Sequence, residues 1–319
     1  ISNQTNDMQI PFFAALSRAN TVLIAGAGGG FDIASGIPLY LHLAGLGKKA
    51  VLANLSFTAL SFTDGEEVCP GAYRLTEATT EVNYFPEKFI LEWLAERGEH
   101  PEMYGFSNDL GVLPLRHAYS YIVERHGVDT LVLVDGGTDS LMTGDETHLG
   151  SIVEDSCSIA AAAPLLPGNG FLAAIGFGVE HDLDHYACLE NIAALIHDGD
   201  YMGASSLTSD MPEGRAWLDL VERLNQKISF HPSIVTNAIS SAMQGKFGDF
   251  HPTWRTRNSD QFINPLMGLY WFFRLEGVAA KLRYVRQLEN TLTMYDVAQA
   301  CLTCKETTPR RAYRTIPLK

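Results

Sequence analysis

Carboxylates crowd into one short stretch of the chain, residues 135–155, directly after an apolar run that reads as a strand. So many acids at one strand end would repel one another, and some must be solvated, protonated, paired with a cation or bound to ligand hydroxyls. Carboxylate oxygens suit Mg²⁺ or Mn²⁺ better than zinc. The stretch therefore predicts a divalent metal site, with these candidate ligands: Asp135, Asp139, Asp145 and Glu146.

The same stretch allows two other interpretations. Asp135 and Asp139 are of the residue type that opens turns and caps helices, and the remaining acids could lie in water. Gly136, Gly137 and Thr138 could also form an anion-binding turn, with backbone N–H groups and the Thr hydroxyl as donors. These three residues are therefore predicted to contact a cofactor.

Two histidines follow a later apolar strand. His181 and His185 are four residues apart, so they share one face of a helix if the helix already begins there. Neighbouring carboxylates could orient and tune either ring, and we predict that His181 or His185 moves a proton, with Asp139 as a further catalytic group. The HExxH order of zinc proteases is missing, and Asp182 could simply cap the helix.

A glycine-rich loop, GAGGGFD at residues 26–32, follows the first predicted strand. Glycines let the backbone approach a ligand, and free N–H groups at the start of the next helix favour a phosphate or a carboxylate. A tight turn that binds nothing is the alternative. The predicted cofactor-binding residues of this region are Gly26, Gly28, Gly29, Gly30, Asp32 and Asn54.

Two features of this region argue against a nicotinamide cofactor. The dinucleotide fingerprint has a third glycine at its sixth position, where this chain has Phe31. The second strand ends in Asn54, Leu55 and Ser56, without the acid that would hold a ribose. A nucleotide is therefore a candidate ligand, whereas NAD is not expected.

Strand and helix patterns alternate along the chain. Apolar runs at 22–25, 51–55, 130–134, 171–177 and 269–275 read as buried strands. Helical patterns lie at 10–16, 32–45, 86–97, 113–126, 151–163, 183–197, 215–227, 234–244, 277–288 and 292–302. This order predicts an α/β fold with a doubly wound, mostly parallel, Rossmann-like sheet and helices on both faces. The loops after successive strands would then meet at one edge.

The chain divides into three predicted segments. Residues 1–200 form a Rossmann-like core, 201–260 form a helical insert or lid without a strong strand, and 261–319 add a strand and helices that complete the core. Residues 58–85 are expected to form a long loop, and the basic tail from 307 is expected to be mobile. Arg255 and Arg257 in the insert could clamp a carboxylate or phosphate, or lie on a solvated surface.

Composition narrows the class of protein. The net charge of −14 over 319 residues argues against a nucleic-acid partner, and no apolar run is long enough to span a membrane. The polar N-terminus does not resemble a signal peptide, and five scattered cysteines fit reduced thiols, with the pair Cys301 and Cys304 in a structural role. We expect a cytoplasmic homo-oligomer with a small-molecule ligand.

Three motifs resemble those of an uncharacterised family known as domain of unknown function 1152. They are GAGGGFD at 26–32, LVDGGTDSLMTGDE with LGSIVED at 133–155, and GFGVEHDLDHY at 176–186. The resemblance implies a Rossmann-like α/β fold. It implies no reaction, because none is established for the family.

The residues thus predict an enzyme that acts on a small anionic or nucleotide-like metabolite. The glycine loop would hold the anion, the acids a divalent ion or sugar hydroxyls, and a histidine would move a proton. A non-catalytic ligand-binding or regulatory protein is the first alternative. An NAD-dependent oxidoreductase is the second.

Overall fold

The computed structural model of the protein describes residues 8–316. A nine-stranded sheet runs through its centre, in the order β3-β4-β5-β2-β1-β6-β7-β11-β8, and β9 and β10 form a separate small hairpin. The strands are β1 Thr21–Gly26, β2 Lys49–Ser56, β3 Glu66–Cys69, β4 Ala72–Leu75, β5 Met103–Ser107, β6 Thr130–Gly136, β7 Gly170–Ile175, β8 Tyr201–Ser206, β9 Gly248–Asp249, β10 Phe262–Ile263 and β11 Leu269–Arg274.

The middle of the sheet is parallel. Strands β5, β2, β1, β6 and β7 pair in parallel with their neighbours, while β4 and β3 at one end and β11 at the other are antiparallel to the strands beside them. Every residue of β1 and of β6 is buried, as expected for apolar strands covered on both faces. The prediction of a mostly parallel, doubly wound, Rossmann-like α/β fold is confirmed.

Helices cover both faces of the sheet. They are α1 Pro11–Leu16, α2 Asp32–Gly45, α3 Pro86–Ala95, α4 Val112–His126, α5 Ile152–Ala162, α6 His185–Asp198, α7 Pro212–Lys227, α8 Ile234–Met243, α9 Leu275–Lys281, α10 Val285–Leu288 and α11 Met294–Thr307. Side chains of β1 alternate between two cores, with Leu23 in the core under α4, α5, α6, α9 and α11 and Ile24 in the core under α1, α2, α3, α7 and α8.

A close approach of α2 to the sheet depends on one glycine. A Cβ on Gly36 would lie 2.8 Å from Cγ2 of Ile24, so a larger residue would push the helix away from β1. The strand order reverses beside β1, because β2 lies on one side of it and β6 on the other. The loops after β1 and β6 therefore open a crevice at their carboxyl ends, which is where open α/β sheets bind ligands.

Four strands of the main sheet were not predicted. The expected loop at 58–85 contains the hairpin of β3 and β4, whose residues are partly exposed and carry charge, so they lack a buried apolar run. Strand β5 lies between the helices predicted at 86–97 and 113–126, where no strand was predicted, and it pairs with β2. The expectation of no strong strand in 201–260 was also wrong, because β8 pairs with β11 at the sheet end.

The C-terminal tail, which was expected to be mobile, contacts the core through Arg310 and Arg311. The backbone N–H of Arg311 donates to the carbonyl of Asp145 at 2.8 Å, and Arg310 Nη1 donates to the carbonyl of Glu146 at 2.6 Å. Cys301 and Cys304 are buried on α11 as free thiols.

Within residues 8–316, no helix is both long and apolar enough to cross a membrane. The expectation that no signal peptide is present was based on polar residues at 3–7. These residues lie outside the part of the chain that the structure describes.

Candidate functional site

A cavity of about 570 Å³ opens at the carboxyl ends of the central strands. Loops after β1, β6 and β7 supply most of its floor. The first turn of α8, with His231 and Arg255, forms another part of the lining, which we call the α8 wall. Three loops that were predicted to converge therefore do so. The charged and histidine side chains that line the cavity are Asp32, Asp135, Asp139, Glu154, Asp155, Glu180, His181, Asp182, His231 and Arg255.

Three carboxylates meet at the floor of this cavity, and we call them the aspartate cluster: Asp32, Asp135 and Asp155. One oxygen from each lies within 4.8 Å of the other two. Asp32 begins α2, Asp135 lies in β6 and Asp155 lies in the first turn of α5. Asp135 is 2% exposed and Asp155 is 3% exposed, so water screens their charges poorly.

Burial and mutual repulsion raise the pKa of each member of the aspartate cluster. Burial raises the pKa of Asp32 to about 8, with a further contribution from the charge of Asp139, although backbone N–H groups oppose the rise. Burial, followed by the charge of Asp139, also holds the pKa values of Asp135 and Asp155 well above the usual range. At neutral pH the cluster therefore has a strong tendency to take up protons or a cation.

Two further buried acids surround the aspartate cluster. Burial raises the pKa of Asp139 to about 6, while the backbone N–H of Ser151 donates to its Oδ2 at 2.9 Å and limits the rise. Burial and the charge of Asp139 hold the pKa of Glu180 well above its usual value. Asp139 therefore changes protonation state near neutral pH, which suits a group that moves a proton.

The N–H groups of the glycine loop have partners inside the chain. Gly28 N donates to Asp32 Oδ2 at 2.6 Å, and Gly30 N donates to the Leu55 carbonyl at 3.1 Å. A Cβ on Gly28 would also lie 2.7 Å from Asp155 Oδ2. The loop thus holds and makes room for the cluster's own carboxylates, whereas the sequence predicted that it would hold an anion of the ligand.

Gly26 and Asn54 lie behind the loop and do not line the cavity. Asn54 is fully buried, and its Nδ2 donates to the Gly30 carbonyl at 2.9 Å and to Glu87 Oε1 at 2.7 Å. A Cβ on Gly26 would lie 2.1 Å from Asn54 Oδ1. These two residues support the loop from below, and the structure gives them no contact with the cavity that a cofactor would enter.

The second glycine turn also reaches the cavity only in part. Gly136 lines it, and a Cβ there would lie 2.9 Å from Asp32 Oδ1. Gly137 does not line it, and a Cβ at that position would lie 2.2 Å from Glu180 Oε1. Thr138 is fully buried outside the lining, where its carbonyl accepts from Cys188 Sγ at 3.8 Å.

The four predicted metal ligands are separated in the structure. Asp135 and Asp139 line the cavity, but Asp145 and Glu146 do not. Arg311 pairs with Asp145 at 2.8 Å and with Glu146 at 2.5 Å. Burial acts to raise the pKa of Glu146, but hydrogen bonds from Thr143 and Asn191 outweigh it and hold that pKa below its usual value. Asp145 and Glu146 thus anchor the tail, which is a role that the acidic stretch alone does not reveal.

The two predicted histidines also differ in position. His181 is exposed and lines the cavity. His185 lies outside the lining, packs against Phe177 with ring centroids 5.4 Å apart, and has a pKa lowered by burial. Asp184, rather than Asp182, caps α6 by accepting from Ala187 N at 3.0 Å. Of these two histidines, only His181 is therefore placed to act on a ligand in the cavity.

The α8 wall carries donors and positive charge. It includes the N-terminus of α8, His231 and Arg255. Arg255 Nη1 donates to the Pro232 carbonyl at 3.0 Å, and within residues 8–316 its guanidinium forms no ion pair. Burial, followed by the charge of Arg255, lowers the pKa of His231. Arg257, the other arginine suggested by sequence, is exposed and does not line the cavity.

Several cavity residues were not among the predicted site residues. Asp155 lies in the acidic stretch, and its position in the first turn of a predicted helix after that stretch was an available signal. Glu180 directly precedes His181 and offered a similar signal. The α8 wall comes from the segment predicted as a helical insert or lid, and no local pattern indicates which part of the core this segment contacts.

The chain matches the model of one known protein family. A family model described as a protein of unknown function (DUF1152) matches residues 23–308, which is nearly the whole chain. No curated protein and no solved structure matches the chain. The resemblance seen in the three motifs is therefore confirmed, and it extends well beyond them toward the C-terminus.

Proposed function

The chain belongs to the DUF1152 family, whose description names no activity, and we propose from the site itself that it is an enzyme acting on a small anionic metabolite with a divalent cation. The cation would be held by Asp32, Asp135 and Asp155. The observation that carries this proposal is the meeting of these three carboxylates, two of them almost fully buried, within 4.8 Å of one another on a cavity floor.

Electrostatics supports a cation at the aspartate cluster. Two unit charges 4.8 Å apart repel by about 3.5 kcal/mol at an effective dielectric constant of about 20. The chain offers no cation to relieve this repulsion, because within residues 8–316 none of the three carboxylates forms an ion pair with Lys or Arg. A bound divalent ion would remove the repulsion, and protons are the alternative partner.

The donor atoms favour Mg²⁺ or Mn²⁺. All three candidate ligands are carboxylate oxygens, which hard divalent cations prefer, and the aspartate cluster contains no histidine or cysteine. Two buried oxygens at the cavity floor support a further ligand independently. Asp155 Oδ1 and Ser35 Oγ have no hydrogen-bond partner among the described residues, and buried polar atoms seldom remain without one.

The α8 wall supports an anionic substrate. Arg255 has donors left after its single bond to a carbonyl, and the N-terminus of α8 attracts negative charge. A lone anion would be repelled by the acidic floor, since seven carboxylates line the cavity against one arginine. A cation on the aspartate cluster would reverse that repulsion, so an anionic group would lie between the cation and Arg255.

Proton transfer is assigned to Asp139 and His181. Asp139 has a pKa of about 6 because it is buried, and a group that titrates near working pH is an effective general acid or base. His181 is the predicted histidine that lines the cavity. The reaction class stays open, and the cytoplasmic location and homo-oligomeric state remain predictions from the sequence.

A non-catalytic ligand sensor is the competing proposal, and turnover distinguishes the two. The protein is titrated by calorimetry with nucleotides, sugar phosphates and amino acids, in Mn²⁺ or in EDTA, and each ligand that binds is then followed by mass spectrometry. We expect binding in Mn²⁺ only, conversion of a bound ligand, and slower conversion by Asp139→Asn with little change in affinity. Ligands that bind but are never converted would instead establish a sensor. The other alternative, an NAD-dependent oxidoreductase, would require an absorbance change on addition of NAD.

A pair of arginine variants tests the anion-binding wall. Arg255→Gln should weaken the binding of an anionic ligand about tenfold or more, because a hydrogen bond to a charged group is lost. Arg257→Gln is the matched control, since Arg257 is exposed two residues away and does not line the cavity. Equal losses in the two variants, or binding that is the same in Mn²⁺ and EDTA, would contradict the proposal.

A further inference from the structure

An aromatic ring lies directly on the glycine loop. A Cβ on Gly29 would be 3.2 Å from Cε1 of Phe57, and a Cβ on Gly30 would be 3.1 Å from Cδ2. These ring atoms belong to opposite sides of Phe57, so the ring lies across both glycines. Gly29 and Gly30 also have φ values of +92° and +59°, which other residues rarely adopt. Glycine at both positions is therefore what allows the ring to rest on the backbone.

Phe57 lines the cavity and remains 45% exposed, even though atoms of its ring lie against Gly29 and Gly30. Further rings line the cavity close to Phe57, since the Cβ position of Gly30 lies 3.2 Å from Tyr84 Oη. Tyr84 packs edge-on against Phe31 at 5.7 Å and against His231 at 5.9 Å between ring centroids, and all three line the cavity. An exposed ring among other rings is a favourable surface for a flat aromatic group.

Phe57 and the aspartate cluster are contacted by consecutive residues of the glycine loop. Gly28 lies against the Asp155 carboxylate, while Gly29 and Gly30 lie against Phe57. Because neighbouring Cα atoms are about 3.8 Å apart, the loop residues that contact the two features lie within about 8 Å of one another. A ligand that stacks on Phe57 and binds a cation at the aspartate cluster would carry a flat ring and an anionic group on a short spacer, and a nucleoside phosphate has this arrangement.

Resting on the proposed function, we propose that the substrate is a nucleoside phosphate whose base stacks on Phe57, while its phosphate faces the aspartate cluster and Arg255. Phe57 is then the residue that selects ligands with a base over simple sugar phosphates. Stacking of a base on an aromatic side chain is tolerant of base identity, so Phe57 by itself does not distinguish purines from pyrimidines.

The test compares AMP, GMP, CMP and UMP with ribose 5-phosphate, which has the same phosphate and sugar but no base. Each is titrated by calorimetry in saturating Mn²⁺. We expect at least one nucleotide to bind about tenfold tighter than ribose 5-phosphate, and Phe57→Leu to remove about tenfold of that affinity while leaving ribose 5-phosphate unchanged. Phe62→Leu is the matched control, because Phe62 is 82% exposed outside the cavity lining.

The outcomes separate this inference from the proposed function. Equal affinity for ribose 5-phosphate and every nucleotide would overturn base stacking and leave the metal-dependent anion site intact. An equal loss of both ligands in Phe57→Leu would also overturn it, since it would indicate a general disturbance of the loop. Absence of Mn²⁺ binding, measured separately on the wild-type protein, would instead contradict the proposed function.

Discussion

Replacing Asp155 by asparagine should change stability in opposite directions with and without a divalent cation. Asp155 is 3% exposed, and one of its oxygens lies within 4.8 Å of oxygens of Asp32 and Asp135. Each pair of full charges at that distance repels by about 3.5 kcal/mol at an effective dielectric constant of about 20. The neutral amide has nearly the same shape, so the variant relieves this repulsion without opening a cavity.

The size of the effect without metal is limited by protonation. Burial and neighbouring charges hold the pKa of Asp155 well above its usual range, so at neutral pH protons already cancel part of the repulsion. We expect Asp155→Asn to raise the free energy of unfolding in EDTA by about 1 to 3 kcal/mol at pH 7. Wild-type protein should gain about 2.7 kcal/mol at a Mn²⁺ concentration of about 100 times the dissociation constant, and the variant should gain much less.

Urea unfolding followed by circular dichroism measures both quantities. The variant should be the more stable protein in EDTA and the less stable protein in Mn²⁺. Glu124→Gln is the control, because Glu124 is an exposed acid on α4 and should respond to neither condition. A variant that is less stable than wild type in EDTA, or a wild type that Mn²⁺ does not stabilise, would refute the reasoning.

Three further predictions concern pH, the tail and the glycine loop. Because the pKa of Asp32 rises from 3.8 to about 8 on folding, the folded state keeps a proton that the unfolded state releases. The free energy of unfolding in EDTA, measured with urea, should therefore fall as pH rises from about 4 to about 8. A flat profile would contradict this. Arg311→Met removes the ion pair of the buried Glu146 carboxylate and should lower the free energy of unfolding by about 3 kcal/mol or more. Arg314→Met, in an exposed position of the same tail, should have little effect. Gly28→Ala places a Cβ 2.7 Å from a cluster oxygen and should weaken Mn²⁺ binding about tenfold or more by calorimetry, while Gly45→Ala, where nothing lies within 4 Å, should bind Mn²⁺ normally.

Sequence patterns predicted the parts of the fold that depend on local composition. Strands β1, β2, β6 and β7 are buried on both faces, so each is a continuous apolar run that is visible without a structure. The hairpin of β3 and β4 and the strands β5 and β8 were missed, because partly exposed or short segments carry charged, polar or glycine residues. Their place in the sheet is decided by pairing with distant strands.

The candidate site could be predicted only where its residues lie at strand ends or in the loops that follow them. Asp32 was found because it closes the glycine loop after β1, and Asp135 because it lies near the end of β6. Asp145 belongs to the same acidic stretch as Asp135, but its partners Arg283 and Arg311 lie far along the chain. Which acids meet one another and which meet an arginine is decided by tertiary packing, and spacing in the sequence does not record it.

Diffraction from crystals grown with Mn²⁺, recorded near the manganese absorption edge, tests the metal site most directly. We expect an anomalous peak on the cavity floor, within coordination distance of Asp32, Asp135 and Asp155. We also expect that peak to be lost in Asp155→Asn. No peak at saturating Mn²⁺, or a peak that persists unchanged in Asp155→Asn, would contradict the assignment of the aspartate cluster as the cation site.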